Sequence, residues 1–167
     1  MYTGRTPRVL RCGAASGVAL LLAACVAPHS ADMQIGLRNP TVPLGATTRF
    51  DADRFAGQWR TVACLGQCAH RAAYRVTGKG VVHRHAAGRD VAYTQSAPGV
   101  LRGVKSKEAL VVMWVDEGFR TAAIGDADGR WAAVVDRGTS PGADRVRAAT
   151  EILDFNGWDV SKLRVMK

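Results

Sequence analysis

The sequence predicts a mainly β domain, built as a closed antiparallel sheet that is followed by one C-terminal α-helix. Short strand-like runs joined by glycine-containing turns succeed one another up to residue 136. An apolar stripe at helical spacing comes after them. Gly57 and Trp59 share a face at the start of the first run, where the large ring suggests a plug at the end of a closed sheet. The same pattern also fits an ordinary buried tryptophan.

The predicted strands alternate with turns of recognisable chemistry. Glycines around residue 79 predict a hairpin, and Asp128-Gly129 predicts another. Pro98 interrupts two strand pieces and therefore implies an edge or a bulge. The run 109–115 is nearly all apolar, so we expect both of its faces to be covered. The strand-like runs cover 57–64, 71–77, 81–86, 109–115, 119–124 and 131–135, together with 91–95 and 99–104, which are counted as two pieces of one interrupted strand.

The helix after the strands is expected to begin at Ser140, as N-cap, with Pro141 in the first helical position. Gly157 is expected to end it, and Trp158 to fold back on its last turn. A short final strand is predicted over 160–166. The apolar stripe of the helix consists of Val146, Ala149, Ile152 and Leu153.

Composition limits the possible classes of protein. A chain of 167 residues with 47% hydrophobic content can bury a sizeable core and is not disordered throughout. The formal charge is +9, and leaving out the three arginines before residue 25 gives +6 for the remainder. That charge suits anionic lipid head groups or other acidic partners. We expect no nucleic-acid partner, because the basic residues are scattered and form no platform with aromatic ones.

The N-terminus has the pattern of a secretory signal. A basic start precedes an apolar run over 13–24, which is shorter than the ~20 residues that a membrane-spanning helix needs. The run ends in Leu-Ala-Ala-Cys, which resembles a bacterial lipobox. That resemblance implies that 1–24 is a lipoprotein signal peptide and that Cys25 becomes lipid-anchored. Val26 then favours the outer membrane, with the protein facing the periplasm. The alternative is a secreted protein with an incidental cysteine.

The proline- and glycine-containing stretch after Cys25 predicts a flexible tether over 25–47, which is expected to be extended near the prolines and could pack in part on the domain. The barrel domain is then expected over 48–167.

Three motifs in order resemble those of the bacterial outer-membrane lipocalins. The turn before Gly57 and Trp59 matches the opening motif of that family. Asp116 and Phe119 match its Asp-x-x-Tyr turn, with Phe in place of Tyr, and Arg137 matches the arginine that closes its last barrel strand. The resemblance implies an antiparallel up-and-down β-barrel in which Arg137 covers the Trp59 ring. The alternative is that Arg137 is a free surface arginine.

The resemblance also implies a ligand and leaves one strand in question. We place about seven strands before the helix where lipocalins have eight, so one, the fifth, is expected to be absent or merged. A fatty acid or lysophospholipid would lie in the barrel, with its acyl chain inside and its head group at a basic rim. The alternative is a structural or interaction lipoprotein whose barrel is filled by its own side chains. Candidate ligand contacts, each of which also fits a packed core, are Tyr74, Tyr93, Val112, Trp114, Phe119 and Trp131.

The remaining reactive side chains predict a disulfide and no active site. Cys64 and Cys68 are ~13 Å apart on a straight strand, but a bend at Gly66 could bring them together. The oxidising periplasm favours that bond, since Cys12 is cleaved away and Cys25 is acylated. We expect no enzymatic activity, cofactor or metal, because the sequence has neither a nucleophile elbow nor cysteines and histidines at the spacing of metal ligands. His83 and His85 share a strand face that is expected to be solvated.

Overall fold

Eight consecutive antiparallel strands close into a barrel in the computed structural model, which describes Met1 and residues 36–167. Each strand pairs with the next, and β1 pairs with both β2 and β8, which closes the sheet. The strands are β1 (Gly57–Gly66), β2 (Arg71–Thr77), β3 (Val81–Ala86), β4 (Arg89–Ala97), β5 (Val100–Gly103), β6 (Ala109–Val115), β7 (Thr121–Asp126) and β8 (Trp131–Asp136). The predicted up-and-down barrel is therefore confirmed.

Two helices, two 3₁₀ turns and one short strand complete the described fold. A one-turn helix α1 (Ala52–Phe55) precedes β1, and helix α2 (Ala143–Phe155) follows β8. A short strand β9 (Arg164–Val165) pairs with Ala63 and Cys64 of β1, beyond Arg60, where the pairing of β1 with β2 stops. Single 3₁₀ turns occur at Gly78–Gly80 and Val160–Lys162. The final strand is thus shorter than the predicted 160–166, because the 3₁₀ turn takes up its first residues.

The expectation of a missing fifth strand is wrong for the described chain. The pieces on either side of Pro98 are two separate strands, β4 and β5, joined by a tight turn at Gly99, whose φ is +71°. Strand β5 has only four residues, yet all four pair with β4 and three of them pair with β6. The proline lies in the turn, where it removes no ladder hydrogen bond.

The barrel wall separates two cores. The interior core fills the barrel, and the outer core lies between β6, β7, β8 and helix α2. Strand β6 is buried on both faces because it belongs to both, as its apolar sequence predicts. The interior core includes Phe55, Trp59, Tyr74, Val82, Tyr93, Leu101, Leu110, Val112, Val115 and Ile124. The outer core includes Leu65, Val111, Met113, Ala123, Val134, Ala149, Leu153 and Trp158.

The starts of helix α2 and of strand β7 differ from the predicted ones. Helix α2 begins at Ala143 behind an extended Gly142, and Ser140 is not its N-cap. Arg145 reaches back to the Thr121 hydroxyl at 2.8 Å and to the Asp136 carboxylate at 3.6 Å, which fixes the first turn of the helix against the barrel. Strand β7 begins at Thr121, two residues later than predicted, because Phe119 adopts a positive φ within the preceding turn.

Residues 36–47, predicted as the second half of a flexible tether, pack on the barrel domain. Arg38 forms a bridge with Trp158, and the Asn39 amide donates to the Gly157 carbonyl at 2.7 Å. The Thr47 amide donates to Val112 at 2.9 Å. These bonds to the folded domain explain why the prolines of this stretch do not make it a free linker. Apart from Met1, the predicted signal peptide, Cys25 and the rest of the predicted tether lie outside the described residues.

Candidate functional site

The closed end of the barrel is formed by a stack of aromatic rings around Trp59. Its indole is almost fully buried, and its Nε1 donates to the Phe55 carbonyl at 2.8 Å. The Phe55 ring stacks on it with a centroid distance of 4.7 Å. Tyr74 meets the other side of Phe55 edge-on at 4.9 Å. Helix α1 is therefore a plug, held in the barrel by its own phenylalanine.

Arg137 covers the Trp59 ring from outside, as the sequence predicts. Its Cζ lies 4.3 Å from the ring centroid, which is cation–π distance. The guanidinium also donates to the carbonyl oxygens of Phe119, Arg54 and Ala56 at 2.7 to 2.9 Å. A Cβ on Gly57 would lie 2.7 Å from Nη1 of Arg137, so the glycine makes this close approach possible. Arg137 thus joins the plug to the last barrel strand.

Asp116 organises the turn between β6 and β7 at the same end. Its buried carboxylate accepts the amides of Arg120 and Thr121 at 2.5 and 2.7 Å, and the Arg120 guanidinium at 3.0 Å. Burial alone would raise the pKa of Asp116, but these donated hydrogen bonds and the Arg120 charge hold that pKa below its ordinary value. The carboxylate therefore stays charged and stabilises the turn that carries Phe119.

The lowered pKa of Asp116 predicts acid-sensitive stability. The unfolded-state pKa is about 3.9, so the contribution of Asp116 is present above that value and is lost as the pH falls through the lower folded-state pKa. We expect Asp116→Asn to lower the free energy of unfolding by about 1–3 kcal/mol at pH 7. The difference in free energy of unfolding between this variant and the wild type should be smaller at pH 2.5. Urea unfolding at both pH values measures it.

Asp154→Asn, at an exposed position on helix α2, is the matched control and should change little at either pH. An Asp116→Asn deficit that is equal at pH 7 and pH 2.5 would contradict the assignment of the lowered pKa.

The opposite end of the barrel opens into a cleft of about 350 Å³, here called the mouth cleft. The turns between β1 and β2, β3 and β4, β5 and β6, and β7 and β8 form its rim. Its deeper wall carries apolar and aromatic side chains, among them Val91, Tyr93, Leu110 and Trp131. The polar residues that line it are Gln67, Arg84, Arg89, Glu108, Asp126 and Arg130. The mouth cleft therefore combines an apolar wall with charged groups.

Most charges of the mouth cleft are paired at its rim. Arg89 contacts Glu108 at 3.0 Å, and Tyr93 donates its hydroxyl to the same carboxylate at 3.3 Å. Arg130 contacts Asp126 at 2.6 Å. Burial raises the pKa of Tyr93 well above its ordinary value, and the nearby Glu108 carboxylate adds a smaller effect in the same direction. The Tyr93 hydroxyl therefore stays protonated and remains a hydrogen-bond donor.

Arg84 differs from the rim arginines. Its Nε donates to the Tyr74 hydroxyl at 3.1 Å, and its Cζ lies 5.3 Å from the Trp131 ring centroid. Among the described residues, no carboxylate lies within 4.0 Å of it. Burial raises the pKa of Tyr74, which keeps that hydroxyl neutral beside the guanidinium. Within the described part of the chain, the mouth cleft thus contains an arginine without an ionic partner.

The six candidate ligand contacts fall into three places. Tyr93 and Trp131 line the mouth cleft. Tyr74, Val112 and Phe119 belong to the interior core. Trp114 packs against the outer core instead, so its predicted position inside the barrel is wrong. A bulge in β6 between Val112 and Trp114 shifts the strand by one residue and turns Trp114 outward.

Arg84 was missed in the sequence, although a signal for it exists. It shares one face of β3 with Val82 and Ala86, and both of those side chains are buried inside the barrel. A charged residue in phase with two buried ones is a candidate for an interior polar group. Arg89, Glu108, Asp126 and Arg130 lie at strand ends or in turns, where alternation gives no information.

The predicted Cys64–Cys68 disulfide is confirmed, with Cα atoms 6.0 Å apart. It closes the turn at Gly66, whose φ is +73°, and holds this loop beside the mouth cleft. His83 and His85 lie on the outer face of β3, where His83 approaches Asp90 at 3.6 Å. Within residues 36–167, no three His, Cys, Asp or Glu side chains are grouped as a metal site requires.

Comparison with known proteins adds no family to this description. No protein-family model matches the chain, and no curated protein is significantly similar to it. Among residues 36–167, none of the helices has the length and apolar content needed to cross a membrane.

Proposed function

We propose that this protein binds the hydrophobic part of a fatty acid or lysophospholipid in the mouth cleft. The observation that supports this proposal is a barrel plugged at one end and open at the other into a cleft of about 350 Å³ with an apolar wall. That volume lies near the lower limit of typical ligand sites, which measure about 300–1,000 Å³. The ligand part that enters is therefore short, because the interior core occupies the rest of the barrel.

The apolar wall sets the scale of the expected affinity. Burial of about six methylene groups contributes about 5 kcal/mol before entropic losses. Before those losses, this energy corresponds to a dissociation constant of about 0.2 mM, so binding through the apolar wall alone is weak. Weak and reversible binding of this kind suits storage or transport rather than tight sequestration.

Direct binding measurements test the proposal. Isothermal titration of the purified protein with octanoate and with lysophosphatidylcholine below its micellar concentration should give saturable binding near one ligand per chain. Val91→Trp places a large ring in the mouth cleft and should abolish it. Thr94→Trp, on the exposed outer face of the same strand, is the matched control and should bind like wild type. Equal binding by both variants would place the ligand elsewhere.

We further propose that the protein is tethered to the outer membrane through acylated Cys25, facing the periplasm. The support is the lipobox-like sequence that ends at this cysteine. We expect Cys25→Ser to abolish acylation and to release the protein from the membrane fraction, because the acyl chains on this cysteine are the proposed membrane anchor. Mass spectrometry of the N-terminal peptide and membrane fractionation measure both effects.

Cys12→Ser is the matched control, since this residue is removed with the signal peptide and should leave acylation intact. Persistent membrane attachment of Cys25→Ser would refute the anchor.

A structural or interaction lipoprotein is the second candidate function. The interior core favours it, because Phe55, Trp59, Leu101 and Val112 occupy the space that a deeply inserted ligand would need. Wild-type protein that stays membrane-anchored but binds no fatty acid or lysophospholipid in the titrations would support this candidate over the first.

A further inference from the structure

We propose that the mouth cleft accepts a compact amphiphilic monocarboxylate head first, with the carboxylate on Arg84 and the apolar part directed toward the rim. This inference rests on the proposed binding function and names its ligand class. It reverses the orientation expected from the sequence, in which a basic rim holds the head group.

The position of Arg84 puts a cation below the rim. Val82 is almost fully buried on one side of it along β3, and Ala86 lies at the rim end of the strand on the other. Two residues along a strand correspond to ~6.6 Å, so Arg84 lies about that far below Ala86. It is paired across the sheet with Tyr74 and Val91. Arg84 therefore lines the mouth cleft from a strand position below the rim.

The contacts of Arg84 fix the orientation of its guanidinium but leave some of its hydrogen-bond donors without a partner among the described residues. The Tyr74 hydroxyl accepts from Nε, and the Trp131 ring lies on one side of the guanidinium. Neither Nη group has a hydrogen-bond partner among the described residues. A partly buried cation without an anionic partner is unfavourable, so an anion that enters the cleft gains a charge-assisted interaction. Two Nη donors suit the planar geometry of a carboxylate.

The charge balance of the mouth cleft favours a single negative charge. Of the described residues, three arginines and two carboxylates line it, which leaves one positive charge unbalanced. The rim arginines Arg89 and Arg130 already contact Glu108 and Asp126, so Arg84 carries the free charge. The two rim carboxylates would repel a second negative charge on the ligand. A monocarboxylate therefore fits better than a phosphate dianion.

The test compares ligands that share a chain length and differ in head group. Octanoate, methyl octanoate and octyl phosphate are titrated into wild-type protein, Arg84→Met and Arg89→Met. Charge-assisted hydrogen bonds predict that wild type binds octanoate about 10-fold or more tightly than the ester. The difference should disappear in Arg84→Met, with ester binding retained, and should persist in Arg89→Met. Octyl phosphate should bind more weakly than octanoate.

The wild-type comparison keeps the inference testable even if Arg84→Met does not fold. Equal binding of octanoate and its methyl ester by wild type would overturn head-first binding but leave the proposed function intact. A stronger affinity for octyl phosphate would overturn the monocarboxylate assignment. The absence of binding by all three ligands would instead refute the proposed function itself. A 10-fold preference for octanoate that survives in a folded Arg84→Met would show that another group holds the carboxylate.

Discussion

Replacement of Trp59 with alanine is expected to lower the free energy of unfolding by about 3–5 kcal/mol. The indole is almost fully buried, stacks on Phe55 and lies under Arg137. Its loss leaves a cavity at the closed end of the barrel, and the Phe55 carbonyl loses its donor. Urea unfolding followed by far-ultraviolet circular dichroism measures the change without relying on tryptophan fluorescence.

Trp131→Ala is the matched control for this prediction. Trp131 is only partly buried and lies at the mouth cleft, where water can fill the space that the ring leaves. We expect a cost of about 1–2 kcal/mol, well below that for Trp59. If the two variants lose equal stability, the plugged end is not the better packed end of the barrel.

Replacement of Gly66 with alanine is expected to lower the free energy of unfolding by about 2–5 kcal/mol, from backbone strain and overpacking together. The φ of Gly66 is +73°, and an added Cβ would lie 2.5 Å from the Arg130 carbonyl oxygen and 2.7 Å from Leu37 Cδ1. Because the first of these atoms belongs to the backbone, a side-chain rotation cannot relieve the contact. Thermal and urea unfolding of the oxidised protein measure the loss.

Gly88→Ala separates the two causes. Gly88 has the same φ of +73°, but an added Cβ there would have no atom within 4 Å. We expect this variant to lose only about 1 kcal/mol, which is the cost of the backbone conformation alone. Equal losses at positions 66 and 88 would mean that the contact with the Arg130 carbonyl is relieved by movement of the chain.

The closed end of the barrel could be predicted from the sequence because its parts are local or carried by motifs. Gly57 and Trp59 lie in one strand, and Arg137 follows the last barrel strand at a recognisable place. The contact between Trp59 and Arg137 was expected and is present. The Cys64–Cys68 bond was also accessible, because four residues and a glycine bend decide it.

Where a strand departs from regular alternation, the sequence does not predict which side chains lie inside the barrel and which lie outside. The bulge in β6 depends on pairing with β7, so Trp114 was placed on the wrong face. The number of strands was misjudged for a related reason: β5 is short, and only its pairing with β4 and β6 defines it. Arg84 was overlooked because a charged residue in a strand is usually exposed.

Because segment 36–47 packs on the barrel, we expect the smallest stable fragment of this protein to begin before Thr48. The Arg38 guanidinium and the Gly45 amide both bind Asn156, at the end of helix α2. A fragment that begins at Thr48 would lose these partners and would expose the outer core beside Leu37 and Leu44. Fragments made for expression and crystallisation of the barrel should therefore begin at or before Gly36 and not at Thr48.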